Sequence, residues 1–346
     1  MTDRPTITVI GSLNLDFVAY TSRCPGPGET LTGSSLSVNA GGKGANQAVA
    51  CARAGFTSST DHDVTVNLIG AVGAKDPYYS TLLRPTLEQS GVITTGIRET
   101  AGASTGSASI TVEEGGENRI IVIPGANHDG MRDVETILGA VTESAAMPQV
   151  VVLQGEIPRD TLTELLHYFN DPSCRSQVIL NIAPVYPEGI PIRALRGTAV
   201  LIMNETEAVQ MARALPDVSC DGLSEANLDP EALAPLFHRI ANVGIVIITL
   251  GAKGAFLSTA TGRQRFVPSV PVKNVRDTTA AGDTFVGYLS AALAKHAAQS
   301  ASLGEFDCII ESSVRVANRA AALCVQRMGA IESIPFGYEV LDSYRQ

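Results

Sequence analysis

Four short runs of unbroken apolar residues, each ending in a polar loop, most constrain what this chain can fold into. Val150–Leu153 leads into Gln154-Gly155-Glu156, Val178–Leu180 into Asn181, and Val200–Met203 into Asn204-Glu205-Thr206-Glu207. Ile245–Ile248 leads into Thr249-Leu250-Gly251-Ala252-Lys253-Gly254. Continuous rather than alternating apolarity marks strands covered on both faces. Helical patterns around 159–169, 205–214 and 231–242 separate the runs. Strand, loop and helix in repetition predict a parallel α/β sheet, whose ligands bind beyond the carboxyl ends of its strands.

The first third fits the same plan with an addition. Thr6–Ile10 predicts a buried strand running into Gly11-Ser12-Leu13-Asn14-Leu15-Asp16. Extended segments are expected at Phe17–Tyr20 and Thr30–Val38, on either side of Pro25-Gly26-Pro27-Gly28. Gly41-Gly42-Lys43-Gly44-Ala45-Asn46-Gln47 opens a helix that Gly55 ends, and 57–63 is a polar, exposed insertion. Val64–Ala71 predicts a strand and Tyr79–Gln89 a helix. Thr105–Val112 and Arg119–Ile123 flank Glu113-Glu114-Gly115-Gly116-Glu117-Asn118 as a hairpin. The pieces near 17–38 and 105–123 are too short for a domain and predict a small flap on the sheet. The only loosened stretch is an acidic loop at 216–229.

Bulk properties exclude several classes. A chain of 346 residues, 45% hydrophobic and 17% charged, describes a folded globular protein. Its net charge of −10 with no basic run argues against a general nucleic-acid binder. The six cysteines (Cys24, Cys51, Cys174, Cys220, Cys308, Cys324) form no C-x-x-C pair and predict reduced, mostly packed thiols, with Cys51, Cys308 and Cys324 in helices. The five histidines form no metal-spaced cluster. No apolar run approaches the roughly 18 residues that span a bilayer. The start at Met1 predicts neither a signal nor a transit peptide, because a strand begins at once.

Chemistry concentrates in Arg276-Asp277-Thr278-Thr279-Ala280-Ala281-Gly282-Asp283-Thr284-Phe285. Asp277 closes an expected extended run from Phe266 to Val275, and helical spacing begins at Phe285. Ala281, Gly282 and Asp283 therefore stand at a helix N-terminus, where unpaired amides and the dipole favour an anion. A carboxylate beside such amides suits phosphoryl transfer to a hydroxyl; an Asp N-cap explains the same letters. Gly41-Gly42-Lys43-Gly44-Ala45-Asn46 matches neither the Walker pattern nor G-x-G-x-x-G. It suits a polyol, or is a tight strand-to-helix turn. Asn14 and Asp16 could grip sugar hydroxyls or form an Asx turn. Asn204 and Glu207 could order water around Mg²⁺ or simply open a helix. Gly251-Ala252-Lys253-Gly254 could admit a nucleotide or be a β-turn.

Taken together, five of these stretches resemble the PfkB-type carbohydrate kinases. They are Gly11-Ser12-x-Asn14-x-Asp16, Pro27-Gly28-Glu29-Thr30, Gly41 to Ala48, Asn204-Glu205-Thr206-Glu207, and Asp277-Thr278-x-Ala280-Ala281-Gly282-Asp283-Thr284-Phe285. The resemblance runs in order from about Thr6 to Pro335. It implies a single three-layer, ribokinase-like α/β domain over 1–346, a mainly parallel central sheet flanked by helices. It also implies a small β-sheet lid made of about 14–40 and 104–124, often part of a dimer interface. The implied reaction is ATP-dependent phosphorylation of D-ribose at its 5-hydroxyl. By the resemblance, Asn14, Asp16, Gly42, Lys43, Asn46 and Glu156 hold the sugar. Asp283 is the base, with the Ala281, Gly282 and Asp283 amides as anion hole. Asn204 and Glu207 order Mg²⁺ and phosphates, Thr249, Gly251 and Gly254 line the ATP site, and Asn318 lies near the adenine. A monovalent cation, usually K⁺, falls to Asp277, Thr279, Cys324, Gly329 and Ser333. Thr279 stands where an aliphatic residue is common, and Gly155 where a bulkier one is usual. The partners implied are sugar and ATP, without nucleic acid or membrane, in the cytoplasm with the nucleus left open. Two alternatives stay open: a kinase of deoxyribose, fructose or another ketose, and an inactive sugar-sensing homologue.

Overall fold

The computed structural model describes residues 4–115, 117–143, 147–215, 223–299 and 301–344. Nine strands form one sheet, in the order Gln264–Pro268, Gly254–Thr259, Ile245–Thr249, Val200–Asn204, Gln177–Asn181, Val150–Gln154, Thr6–Ile10, Thr65–Gly73 and Val92–Thr100. The seven from Ile245–Thr249 onward run parallel, and the first two pair antiparallel at that edge. The apolar runs are continuous because both faces are covered: Val150 and Val152 pack into one core, Val151 and Leu153 into the other. This is a three-layer α/β fold, as expected, with the helices Lys43–Ala54, Ala281–Ala297 and Ile310–Cys324 supplying one outer layer.

Strand order reverses at Thr6–Ile10. The chain first builds outward to Thr65–Gly73 and Val92–Thr100, then crosses back to lay Val150–Gln154 on the other side. Loops leaving the carboxyl ends of two such strands diverge and open a crevice. The rim is even, since Gln154 registers with Asn181 and Asn204 with Thr249. A second sheet of four strands, Ser35–Gly41, Asn14–Thr21, Gly106–Glu113 and Asn118–Ile123, stands apart from the first. Asn14–Thr21 pairs parallel with Gly106–Glu113, and the outer pairings are antiparallel.

Several expectations need correction. The extended run at Phe266–Val275 stops at Pro268, because Pro268 and Pro271 have no N–H for a ladder. The segment expected from Thr30 becomes a strand only at Ser35–Gly41. Cys308 lies in the turn between Leu303–Phe306 and Ile310–Cys324 and is exposed, not in a helix. The strands Val92–Thr100 and Gly254–Thr259 escape a reading of apolar runs, since Val92–Thr100 is half polar and Gly254–Thr259 begins inside the glycine turn and ends in Ser258 and Thr259. Part of the acidic loop, 216–222, and Cys220 within it lie outside the described residues, as does Gly116 of the hairpin turn. Among the described residues no helix is long and apolar enough to cross a membrane.

Candidate active site

The crevice is built on glycines that let backbones meet. Gly42 caps the Lys43 helix with φ 90°, a conformation open mainly to glycine. A Cβ on Gly44 would stand 2.4 Å from Ser12 N and 2.5 Å from Gly11 C, so the helix start rests directly on the loop leaving the first strand. Ala45 N donates to Ser12 O at 2.9 Å and Gly44 N to Ser12 Oγ at 3.2 Å. Glu156 enters from the neighbouring strand end: its Oε2 accepts from Lys43 N at 2.9 Å and from Ser12 Oγ at 2.5 Å. The carboxylate thus sits at a helix N-terminus, where the dipole favours it.

Asn14 and Asp16 are strand residues, which rules out an Asx turn. Asn14 Oδ1 accepts from Asn127 Nδ2 at 2.7 Å, and Asn127 also bonds the Leu13 backbone in both directions. Asp16 lies over Gly41, where any Cβ would meet its Oδ2 at 2.2 Å. Burial, then the nearby Glu156, Glu332 and Asp283 carboxylates, push Asp16 up from 3.8 to about 7. A carboxyl raised in the folded state keeps its proton while the unfolded chain has lost it. This group therefore lowers the stability of the sugar-free protein as pH rises from about 4 to about 7, with no further change above. Asp16→Asn should melt like wild type near pH 4 and at a progressively higher temperature than wild type up to pH 7. A melting difference that does not change with pH would contradict this.

Asp283 lies in the first turn of Ala281–Ala297 and caps nothing; its side chain makes no N-cap bond. Instead Asn46 Nδ2 donates to Oδ2 at 3.0 Å and Gln47 Nε2 to Oδ1 at 2.9 Å. The helix starts after Ala280, whose left-handed φ of 60° is rare for a residue with a Cβ and costs about 1–3 kcal/mol. The bend leaves Gly282 and Asp283 amides in the first turn, where no carbonyl lies one turn behind. Ala281 N has a long bond to Thr278 O, 3.3 Å. These residues open on a cavity of about 220 Å³ lined by Lys43, Asn181, Asn204, Glu207, Gly282 and Asp283 among others. Burial alone would lower Lys43, yet Asp283, Glu156 and Glu207 together raise it, so it stays cationic among acids.

At the far side of the cavity, Asn204 and Glu207 form a reciprocal cap. Glu207 N donates to Asn204 Oδ1 and Asn204 N to Glu207 Oε2, both at 2.8 Å. The helix-start reading is thus realised, and both residues also line the cavity. Glu207 is raised, by burial first and by Asp283 as well, against the pull of the Asn204 amide and Lys43. Thr249 lines the cavity, and Gly251–Gly254 forms the tight turn after it, Leu250 N donating to Gly254 O at 2.8 Å. Gly251 has open space beside it. Asn318 is not among the residues lining the cavity: its Nδ2 bonds Val267 O and Pro268 O at 3.2 Å, tying its helix to the edge strand.

The five residues assigned to a monovalent cation come together. Asp277 Oδ1 accepts from Thr279 N at 2.9 Å and its Oδ2 from Gly329 N at 3.0 Å. Cys324 Sγ lies 3.6 Å from Thr279 O and 3.0 Å from Ser333 Oγ. Sequence reading missed Asn127 and Gln47 as site residues. Asn127 carried only the weak signal of a Pro124-Gly125 turn, and Gln47 looked like one more helical residue.

A small cleft at the carboxyl rim of a parallel sheet, holding a carboxylate beside bare helix amides and a polar glycine-rich helix start, defines a phosphotransferase class of enzyme. Residues 4–336 match the model of the pfkB family carbohydrate kinases. A ribokinase of Schizosaccharomyces pombe is 35% identical over 341 residues, covering 98% of this chain and 97% of that protein. A ribokinase of Thermotoga maritima has a crystal structure that superposes with TM-score 0.77 at 31% identity, covering 99% and 100%. An Arabidopsis thaliana ribokinase complexed with ribose and ATP superposes with TM-score 0.74 at 28% identity, covering 98% of each chain. The chain belongs to the pfkB family of carbohydrate kinases, and within it is an enzyme of the ribokinase kind.

Proposed function

We propose that the chain transfers the γ-phosphoryl group of ATP to the 5-hydroxyl of D-ribose, in line and without a covalent enzyme intermediate. The observation that carries this reading is Asp283: one buried carboxylate, fixed by two amides, shares a small cleft with the Gly282 and Asp283 N–H groups. In this account the sugar lies against Asn14, Asp16, Gly42, Lys43, Asn46 and Glu156. Asp283 takes the hydroxyl proton as the O–P bond forms and the β–γ bridge breaks, and the amides with Lys43 balance the moving charge. ATP lies along Asn204, Glu207, Thr249, Gly251 and Gly254. Asn318 lies near the adenine, its Nδ2 held by the Val267 and Pro268 carbonyls. Mg²⁺ bound with the nucleotide would neutralise phosphate charge, its waters ordered by Asn204 and Glu207, whose oxygen donors suit it. The oxygen-rich set of Asp277, Thr279 and Ser333 suits K⁺, with Cys324 and Gly329 contributing backbone, and would fix the turn before Ala281.

A coupled assay of ADP release tests substrate and cation together. D-Ribose should turn over faster than 2-deoxyribose or fructose, and faster in potassium than in sodium. Equal rates across the sugars would defeat the ribose assignment, and equal rates in both salts the cation site. Tight ribose binding without ATP consumption would favour the inactive homologue instead.

The small sheet of residues 14–41 and 106–123 is proposed to be the lid over the sugar, since Asn14 and Asp16 belong to it. Its outer strand exposes Ile120, Ile121, Val122 and Ile123, each half exposed or more, an apolar edge that a second copy would cover. Light scattering should give about twice the 36.2 kDa chain mass, and Ile121→Glu should return the monomer. A wild-type monomer at assay concentrations would contradict the dimer.

A further inference from the structure

Gln47 is fully buried, and a primary amide is costly there unless its hydrogens are used. Both are. Nε2 donates to Asp283 Oδ1 at 2.9 Å and to Asn181 Oδ1 at 2.9 Å, while Asn181 Nδ2 donates to Ile202 O at 3.2 Å. Its carbonyl Oε1 has no partner among the described residues, so the side chain is not buried to satisfy itself. The amide joins the Lys43 helix, the Ala281 helix and the end of strand Gln177–Asn181, which are distant in sequence.

We infer that Gln47, oriented by Asn181, is a positioning residue that fixes the plane of the Asp283 carboxylate toward the transferring hydroxyl. The inference rests on the reading of Asp283 as the base. The terminal torsion of an Asp is broad and turns easily. Asn46 holds one oxygen, and a carboxylate held at one oxygen can still swing about that contact. The Gln47 bond to the other oxygen removes this freedom. Asn46 is also assigned to the sugar, which leaves Gln47 as the donor with no substrate duty. Asn181 decides which end of the Gln47 amide faces Asp283, because its Oδ1 accepts only from the NH₂ end. The charged and titratable groups facing Asp283 are Lys43 on the same helix as Gln47, Asp16 from the small sheet, Glu207 from the Glu205 helix and Cys324 from the Ile310 helix.

The test compares Gln47→Leu, Gln47→Glu and Asp283→Asn in the full chain, by kcat, KM and the pH profile of kcat. Gln47→Leu should lower kcat about 10- to 100-fold with ribose and ATP KM within about threefold, since geometry rather than binding is lost. It should also move the acid limb of kcat to higher pH, because the lost N–H donor favours the ionised carboxylate. Gln47→Glu should move that limb further, by placing a like charge beside Asp283. A residue serving only the fold would change stability and leave the limb alone. An unmoved limb in either folded variant overturns the inference, and so does failure of both to fold. A limb set by Asp16 would show in KM, since that carboxyl faces the sugar. If Asp283→Asn turns over like wild type, the base reading itself fails. If it is deeply impaired while the Gln47 variants keep wild-type kcat and limb, only the positioning role fails.

Discussion

Asp283→Asn is expected to lower kcat by on the order of 10²–10⁴, the usual scale for losing a general base, with ribose affinity little changed. A carboxylate is a weak base for an alcohol. In a loose transition state the proton leaves late, so placement counts for more than basicity. The substitution keeps shape and volume, and the neighbours can adjust. Among the described residues Asn46 Oδ1 has no partner, so the Asn46 amide can turn to accept from the introduced NH₂. The fold and the sugar contacts at Asn14, Asp16, Lys43 and Glu156 are therefore retained while the proton acceptor is removed. Steady-state kinetics with a separate measurement of ribose affinity checks this. Near wild-type turnover would refute the role.

Gly44→Ala is expected to cost at least about 10²-fold in kcat/KM, because a displacement near 1 Å at a reacting site carries that scale of loss. The added Cβ would face Ser12 N at 2.4 Å, Gly11 C at 2.5 Å and Ser12 O at 2.7 Å. All three are backbone atoms at the end of a central strand, so the helix must back away. Lys43, Asn46 and Gln47 ride on that helix and would lose register with Glu156 and Asp283. Overpacking of this kind costs about 1–3 kcal/mol of stability as well. By contrast Gly282→Ala meets nothing within 4 Å and should keep the fold. Kinetics and thermal melts of the two variants side by side test the argument. A Gly44→Ala enzyme with wild-type kcat/KM would contradict it.

The parallel sheet was legible because strands buried on both faces leave unbroken apolar runs, as at Val150–Leu153 and Ile245–Ile248. Edge strands left no such mark: Val92–Thr100 alternates with Thr and Glu, and Pro268 ended the last strand seven residues before Val275. At the site, residues near one another in sequence could be read as motifs. What joins Asn14 to Asn127, 113 residues away, or Gln47 to Asp283, 236 away, is topology, and no local pattern announces it. Local letters were also ambiguous between a cap and a ligand. Geometry resolved them in opposite ways, for Asn204 and Glu207 do cap their helix while Asp283 caps none.

The account stands most directly on where a pentose lies relative to one carboxylate. A crystal structure with D-ribose and a non-hydrolysable ATP analogue should place an Asp283 oxygen about 2.6–3.2 Å from the sugar O5, or one water away, with the sugar against Asn14, Asp16 and Lys43. A ribose bound elsewhere, or an O5 beyond one water's reach of Asp283, would contradict it.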